Sequence, residues 1–395
     1  MSIEYRPPGA DEYGAFIRPI ALGMGFQQTD EGAERFRKLM APERCIAAEE
    51  DGTIVGTTAA YDFEVTVPGG PARCAGVAAV AVLPTHRRRG ILRELTRRQI
   101  DGFHDRGEAI AVLWASEPQI YGRFGYGLAS MSGTIRLERD RASFFDGPPE
   151  PVAGRLVDVD EALEACGTVY ERLRAEVPGF LARSEDWWRM RTFRNPELQR
   201  VVFDGEDGPE GYALYTTRDI WRNMIPNGRL EVNEALAVSP AALRRVWSYL
   251  FGIDLIRTIT AGFLPVDHPL VLWVAEPNRL RLRLVNSMWL RLVDVGAALG
   301  LRTYASDDPV VLEIRDAFCP WNEGRWRLEG GEAARTNDGA DVALDVTGLA
   351  SAFLGGFAFA DLARAGRAEE VQIGGIARAD AVFRTERKPW TPEIF

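Results

Sequence analysis

The chain has 395 residues, of which 46% are hydrophobic and 26% charged, with a formal net charge of −10. That length exceeds what one hydrophobic core normally fills, so two or three domains are expected, and the acidic balance argues against nucleic-acid binding while favouring a cationic substrate. No apolar run approaches the roughly 18 to 20 residues that cross a bilayer, and the start of the chain has no signal-peptide pattern, so no membrane association is expected. Cys45, Cys74, Cys166 and Cys319 lie far apart without C-x-x-C spacing, mostly in apolar surroundings. They read as buried thiols of a reducing compartment, with no disulfide or metal site, and the protein is expected to be cytoplasmic.

From Cys45 to Thr66 apolar and polar residues alternate around Glu50-Asp51-Gly52, which predicts a hairpin. A strand then ends at Leu83, and a helix is expected from Gly90 to Asp105, with Ile91, Leu92, Leu95, Ile100 and Phe103 on its apolar stripe and Arg93, Arg97 and Arg98 towards water. Ala109 to Ala115 reads as a second buried strand. Tyr121-Gly-Arg-Phe-Gly-Tyr-Gly127 makes a tight aromatic turn before a strand near Ser132 to Glu138, and Arg139 to Val152 reads as a linker.

The junction Val80-Ala-Val-Leu-Pro-Thr-His-Arg-Arg-Arg-Gly-Ile-Leu92 carries the most chemical information. A strand that runs through a basic, glycine-containing turn into a helix leaves unpaired N–H groups at the positive end of the helix dipole, which suits a phosphate. Arg-Arg-Arg-Gly alone is a weak signal, which solvated arginines explain equally well. The absence of both G-x-x-x-x-G-K-[ST] and G-x-G-x-x-G narrows the ligand towards a pyrophosphate held by one turn, with Gly90 allowing close approach.

A repeat follows. Ala237-Val-Ser-Pro-Ala-Ala-Leu-Arg-Arg245 matches Ala81 to Arg89 at an offset of 156, and Asp207 to Tyr215 precedes it much as Asp51 to Thr58 precedes the first copy, with Gly211 near the place of Gly56. This alignment puts Val246 at the position of Gly90, where a β-branched side chain would hinder a phosphate, so only the first copy is expected to keep a working cradle. Beyond about residue 285 come short strands, Val310 to Arg315, Arg325 to Glu329 and Val342 to Val346, then helical stretches at Leu349 to Leu354 and Ala360 to Gly366. The tail Lys388-Pro-Trp-Thr-Pro-Glu-Ile-Phe395 ends on apolar side chains, which suggests docking against the body of the protein, with a merely surface-packed terminus as the alternative.

The pattern Val-Ala-Val-x-Pro-x-His-Arg-Arg-Arg-Gly, followed by Ser116-Glu-x-x-Ile-Tyr-Gly-Arg-Phe-Gly-Tyr-Gly127, resembles the Eis family of GNAT acetyltransferases. The resemblance implies an α/β (α+β) chain: an active GNAT domain over 1–150, a degenerate one over 151–285, and a sterol-carrier-protein-like domain over 286–395 whose tail reaches the active site. It also implies acetyl-coenzyme A as donor and, as acceptor, an amine of a polycationic molecule such as an aminoglycoside, or a protein lysine. Assembly as a homohexamer built from two trimers follows from the resemblance alone. A different class of reading, a lipid carrier with a vestigial acetyltransferase half, is weighed against the intact turn and Tyr121.

Carried over residue by residue, the backbone of Val80, Ala81 and Val82 holds the pantetheine arm, and Arg87, Arg88, Arg89, Gly90, Ile91, Leu92 and Arg93 take the pyrophosphate. Leu92 stands where the superfamily usually has a second small residue. Ser116 and Glu117 flank the thioester, and Tyr121 matches the tyrosine that protonates the departing thiolate, with Tyr126 as a packing residue. The base implied by the family is the terminal carboxylate of Phe395. His86 is read as a structural partner of the turn, while His104 and His268 belong to no recognisable constellation. For the acceptor pocket, the segment Phe26 to Glu31 and Phe36 departs from better-known members: Asp30 and Glu31 either supply negative charge or serve as partners of a helix dipole. Trp187 and Trp188 are expected in a core or interface.

Overall fold

The structure, a computed structural model, describes residues 3–395. It separates into two compact units, one holding the chain up to Ala129 with Met288–Thr385 and Ile394–Phe395, the other Ser130–Ser287 with Glu386–Glu393.

In the first unit the N-terminal sheet contains β1 (Glu4–Arg6), β2 (Cys45–Glu50), β3 (Thr53–Val67), β4 (Gly70–Val82) and β5 (Ile110–Trp114) in that spatial order. The predicted β2–β3 hairpin turns through Asp51 (φ 50°) and Gly52 (φ 75°), the two left-handed residues that such a tight turn requires. Strand β3 is buried over most of its length because helices α1 (Tyr13–Met24) and α3 (Ile91–Asp105) both pack on it; α2 (Asp30–Leu39) leans on α1. Helix α3 starts one residue after the expected position and buries Ile91, Leu95, Ile100 and Phe103 as its stripe implied.

Strands β4 and β5 run parallel only from Ala75 to Val77. Just beyond, the β3–β4 register slips and Ala79 enters the left-handed region at φ 56°, its carbonyl accepting a hydrogen bond from the Thr57 hydroxyl at 2.8 Å. This bulge bends β4 away from β5. Val82 and Ala81 keep Gly56 and Thr57 as neighbours on one side and, among the described residues, pair with no strand on the other.

Two strands cross the boundaries expected at 150 and 285. Strand Met288–Leu292 pairs antiparallel with β5 and with β6 (Gly127–Leu128), completing the first sheet. The predicted strand near 132–138 exists as β7 (Met131–Glu138) but lies in the sheet of the second unit, between Arg283–Asn286 and Ile256–Leu264. Apolar periodicity shows that a segment is a strand, and says nothing about which of two sheets it joins. The expected linker 139–152 is also more than a linker, since Ala142 and Phe144 are buried in the core of the second unit.

The second unit has its own seven-stranded sheet, with helix Pro240–Gly252 packed on it through Ala242, Val246, Trp247 and Leu250. Here the expected repeat is confirmed with a changed register. Gly56 pairs with Val82, and a Cβ on it would come within 2.9 Å of Ile91; Gly211 pairs with Ala237, and a Cβ there would come within 3.0 Å of Val246. Val246 therefore occupies the place of Ile91, not of Gly90, and the two copies are offset by 155. The second copy lacks the cradle for a reason other than a bulky Val246. Its helix begins at Pro240, with two residues between it and the end of the strand at Ala237, so the residues matching the first copy's turn are already helical; Pro240 has no N–H to offer, and Ser239 Oγ accepts from Ala242 N at 3.1 Å.

Within that unit the tail segment is docked. Trp390 receives Gly179 against its backbone and donates its indole N–H to the Phe263 carbonyl, and Glu393 lies between the Arg183 guanidinium and the Trp187 indole N–H. Arg183 also pairs with Glu234, so one buried guanidinium holds two buried carboxylates. Trp187 and Trp188 are both buried, as expected for core residues.

The C-terminal part of the first unit is a five-stranded sheet, Glu332–Arg335, Gly324–Glu329, Val310–Arg315, Val342–Asp345 and Ala368–Glu370, covered by helices Val346–Phe353, Phe359–Arg364 and Gly375–Phe383. The helix expected at 349 starts at Val346, because Asp345 Oδ1 caps it by accepting from Thr347 N at 2.9 Å.

Candidate active site

The open flank of β4, the basic turn and the start of α3 form three sides of a cavity of about 720 Å³. Of the expected donor-binding residues, Val80, Ala81, Val82, Arg87, Arg88, Gly90, Ile91, Leu92, Arg93, Ser116 and Glu117 line it, as does Tyr121. Arg89 and Phe395 do not.

The cradle is built by the chain's own geometry. A short 3₁₀ turn, Pro84–His86, is followed by Arg88 at φ 64° and Gly90 at φ 84°, and α3 begins at the next residue. Gly90 is the N-cap and has no side chain to satisfy the first N–H groups of the helix, so they remain available to an anion. A Cβ on Gly90 would meet nothing within 4 Å; what favours glycine there is the left-handed backbone and the room left for a ligand. Arg87, Arg88 and Arg93 are exposed and have no carboxylate partner among the described residues. By contrast, Arg97 faces Asp101 and Arg98 faces Glu94 on α3. Unsatisfied helix N–H groups beside three uncompensated guanidinium groups fit a diphosphate such as that of coenzyme A.

Arg89, expected at the pyrophosphate, is paired with a carboxylate of the hairpin. Its two terminal nitrogens donate to the two carboxylate oxygens of Glu50 at 2.8 and 2.6 Å, and His86 Nε2 lies 3.1 Å from the same carboxylate. Arg89, and to a lesser degree His86, hold the Glu50 carboxyl at a pKa of about 2. Both residues therefore pin the turn to the β2–β3 hairpin. His86, whose Nδ1 is 2.8 Å from Thr85 Oγ1, has the structural role expected of it.

At the other end of the cavity β5 stops at Trp114, and exposed Ser116 and Glu117 lead into the turn Pro118–Tyr121. Tyr121 is 8% exposed, and burial, reinforced by the Glu117 carboxylate, raises its hydroxyl to about 12. It keeps its proton throughout the neutral range. Tyr126 packs edge-on against it with ring centroids 5.9 Å apart, is fully buried, and is not part of the cavity wall. Of the two tyrosines, Tyr121 is the one that lines the cavity.

Phe395 sits on β3, its ring edge-on to Phe63 at 5.0 Å and to Tyr61 at 6.2 Å. A Cβ on Gly76 would touch that ring at 3.4 Å. Among the other histidines, His104 stacks on Trp321, and His268 is buried, accepts from Leu270 N, and is driven by burial to about 3, hence neutral. Asp30 and Glu31 occupy the exposed first turn of α2, capped by Thr29, which is the position of helix-dipole partners. Phe36 packs between Tyr13 and Phe16 of α1 and is structural.

Sequence reasoning missed several wall residues: Gly23 and Met24 at the end of α1, Ile120, Arg123, Phe124, and Ala317 with Phe318. Phe318 comes from the C-terminal domain, and its ring carries the Arg97 guanidinium 3.7 Å from its centroid. Its one signal in the sequence is the aromatic cluster Phe318-Cys-Pro-Trp321 between strands.

Residues 4–129 and 179–292 match families described as acetyltransferase (GNAT) domain, and residues 295–392 match the sterol carrier protein domain. Among relatives, an uncharacterized N-acetyltransferase of Streptomyces coelicolor is 41% identical over 97% of this chain and 96% of its own length. The N-acetyltransferase Eis of Mycobacterium tuberculosis is 32% identical over 98% of both chains. Among solved structures, Eis1 from Mycobacterium abscessus covers both chains completely with a TM-score of 0.84 at 32% identity. A GCN5-related N-acetyltransferase from Anabaena variabilis, 19% identical with a TM-score of 0.87, shares the fold.

Proposed function

The chain is an N-acetyltransferase of the Eis family, and from that premise we propose that it transfers acetyl from acetyl-coenzyme A directly to an amine of a polycationic acceptor such as an aminoglycoside, in a ternary complex. The observation that carries this reading is the cavity in which the unpaired flank of β4, the Gly90 turn and Tyr121 meet.

The donor supplies an activated acyl group as a thioester. In this reading the free backbone of Val80, Ala81 and Val82 hydrogen-bonds the donor's amide arm as a further strand would. The N–H groups after Gly90, with Arg87, Arg88 and Arg93, hold the diphosphate, and Arg89 acts on it only by fixing the turn. An amine is protonated near neutrality, so a base must first take a proton from it; we assign this to the terminal carboxylate of Phe395, whose ring is fixed by Tyr61 and Phe63. The amine nitrogen then bonds to the acyl carbon, the carbon–sulfur bond breaks, Tyr121 gives its proton to the leaving thiolate, and the proton shed by the acylated nitrogen as it becomes an amide restores the Tyr121 hydroxyl. A hydroxyl raised to about 12 keeps that proton until the thiolate forms. We further read the protein as acting in the cytoplasm, on its four dispersed, buried free cysteines, and as a hexamer of two trimers, on family resemblance alone.

The test is thiol release from acetyl-coenzyme A with a panel of aminoglycosides, polyamines and lysine peptides. Release that depends on kanamycin supports the reading. Release with lysine peptides alone would transfer the acceptor role to protein lysine, and none with any amine would overturn it.

A further inference from the structure

Arg291, in strand Met288–Leu292, is completely buried, and so is its partner Asp316. The guanidinium faces two ways. Nη2 donates to Asp316, and Nη1 reaches the Gly125 carbonyl at 3.4 Å. Gly125 is at φ 83°, and a Cβ on it would stand 1.7 Å from Nη1, so a side chain at 125 and the guanidinium exclude one another. Gly125 belongs to the turn that closes the tyrosine pair, with Gly125 N donating to Gly122 O at 3.0 Å and Tyr126 N to Tyr121 O at 3.3 Å. On the other side, Asp316 Oδ1 accepts from the backbone N–H groups of Phe318 and Cys319 at 3.2 and 3.0 Å. Its Oδ2 also accepts from Asn322 Nδ2 at 2.9 Å.

One guanidinium thus touches the turn that carries Tyr121 and, through one carboxylate, orders the loop that carries Phe318. Both residues line the cavity, and the walls meet where Phe318 stands edge-on to Phe124 with centroids 5.2 Å apart. A buried ion pair is a poor source of stability compared with well-packed apolar side chains, so its worth here lies in fixing geometry. Resting on the acetyl-transfer reading above, we propose that Arg291 and Asp316 are a positioning pair for the donor site: they set the place of Tyr121 against Phe318 and make the C-terminal domain part of the donor pocket. Neither touches the reacting atoms.

The test exchanges both charges together, Arg291→Met with Asp316→Leu, so that no lone charge is buried. The expected result is a cooperative melt close to the parent's, with acetyl-coenzyme A bound at least fivefold more weakly by calorimetry and kcat lowered about tenfold. That loss of kcat should largely vanish when the pair is exchanged in a Tyr121→Phe background, since a merely structural role would give the same loss in both. Should the double exchange not fold, Asp316→Asn, which keeps an oxygen for the Phe318 and Cys319 amides, should weaken donor binding in the same direction. Unchanged donor affinity and turnover in the folded variant overturn the proposal. Calorimetry needs no acceptor, so the outcome stays readable even if aminoglycosides prove not to be substrates.

Discussion

Arg89 and Glu50 face each other as a two-point ion pair, 2.8 and 2.6 Å between their nitrogens and oxygens, joining the turn before α3 to the end of β2. A residue that looks in sequence like one more phosphate ligand is paired with a carboxylate and ties the turn before α3 to the hairpin.

Glu50→Gln should therefore weaken donor binding without affecting the chemistry. An ion pair open to solvent on one side is weak, so the expected effect is a rise in KM for acetyl-coenzyme A of up to about fivefold, with kcat unchanged. The Glu50 carboxyl is depressed to about 2, so the pair is fully formed above the usual carboxylate range and is lost only as pH falls towards 2. Steady-state kinetics from pH 8 to 5 should show no donor KM change that disappears in the variant. A large fall in kcat at saturating donor would contradict a purely anchoring role.

Tyr121→Phe keeps the ring against Tyr126 and removes the proton. Loss of a general acid lowers turnover typically by about 10²- to 10⁴-fold, and kcat should fall by that order while donor affinity stays within about twofold. In the parent, a hydroxyl at about 12 stays protonated to about pH 10, so a basic limb appearing below that pH belongs to another group. Undiminished turnover in the variant would remove Tyr121 from the acid role.

Two changes at the chain end separate carboxylate from ring. Adding two glycines after Phe395 keeps the ring contacts with Tyr61 and Phe63 and moves the carboxylate, so acetylation of kanamycin should drop by about 10²-fold or more. Phe395→Ala keeps a terminal carboxylate but loses its anchor, and an intermediate loss is expected. Native rates in the extended protein would rule out the terminal base.

Gly90→Val forces a β-branched residue into a left-handed N-cap at φ 84°, at a cost of about 1 to 2 kcal/mol, and puts its side chain into the ligand's space. Donor affinity by calorimetry should fall at least tenfold. Gly90→Asn, which tolerates this backbone better, should melt closer to the parent yet still bind the donor more weakly. Full affinity in both variants would mean the diphosphate lies elsewhere.

Elements with a strong local signature were legible in the sequence. Asp51-Gly52 made the hairpin, the apolar spacing made α3, and the strand–turn–helix junction around Gly90 marked the cavity that the fold builds. The repeat was legible too, but its register was not. An offset of 156 maximised identities, whereas the contact of each hairpin glycine with the following helix requires 155 and gives Val246 the role of Ile91.

The sequence by itself determined the β2–β3 hairpin, helix α3, the duplication and the junction that lines the cavity, because turns, caps and periodic faces depend on neighbours a few residues apart. Only the tertiary structure decided which strand closes each sheet, which arginines are tied to carboxylates and which are not, and that Phe318 joins Tyr121 in lining the cavity. Those outcomes depend on partners brought together from distant parts of the chain: an arginine reads the same in sequence whether a carboxylate waits across the fold or not.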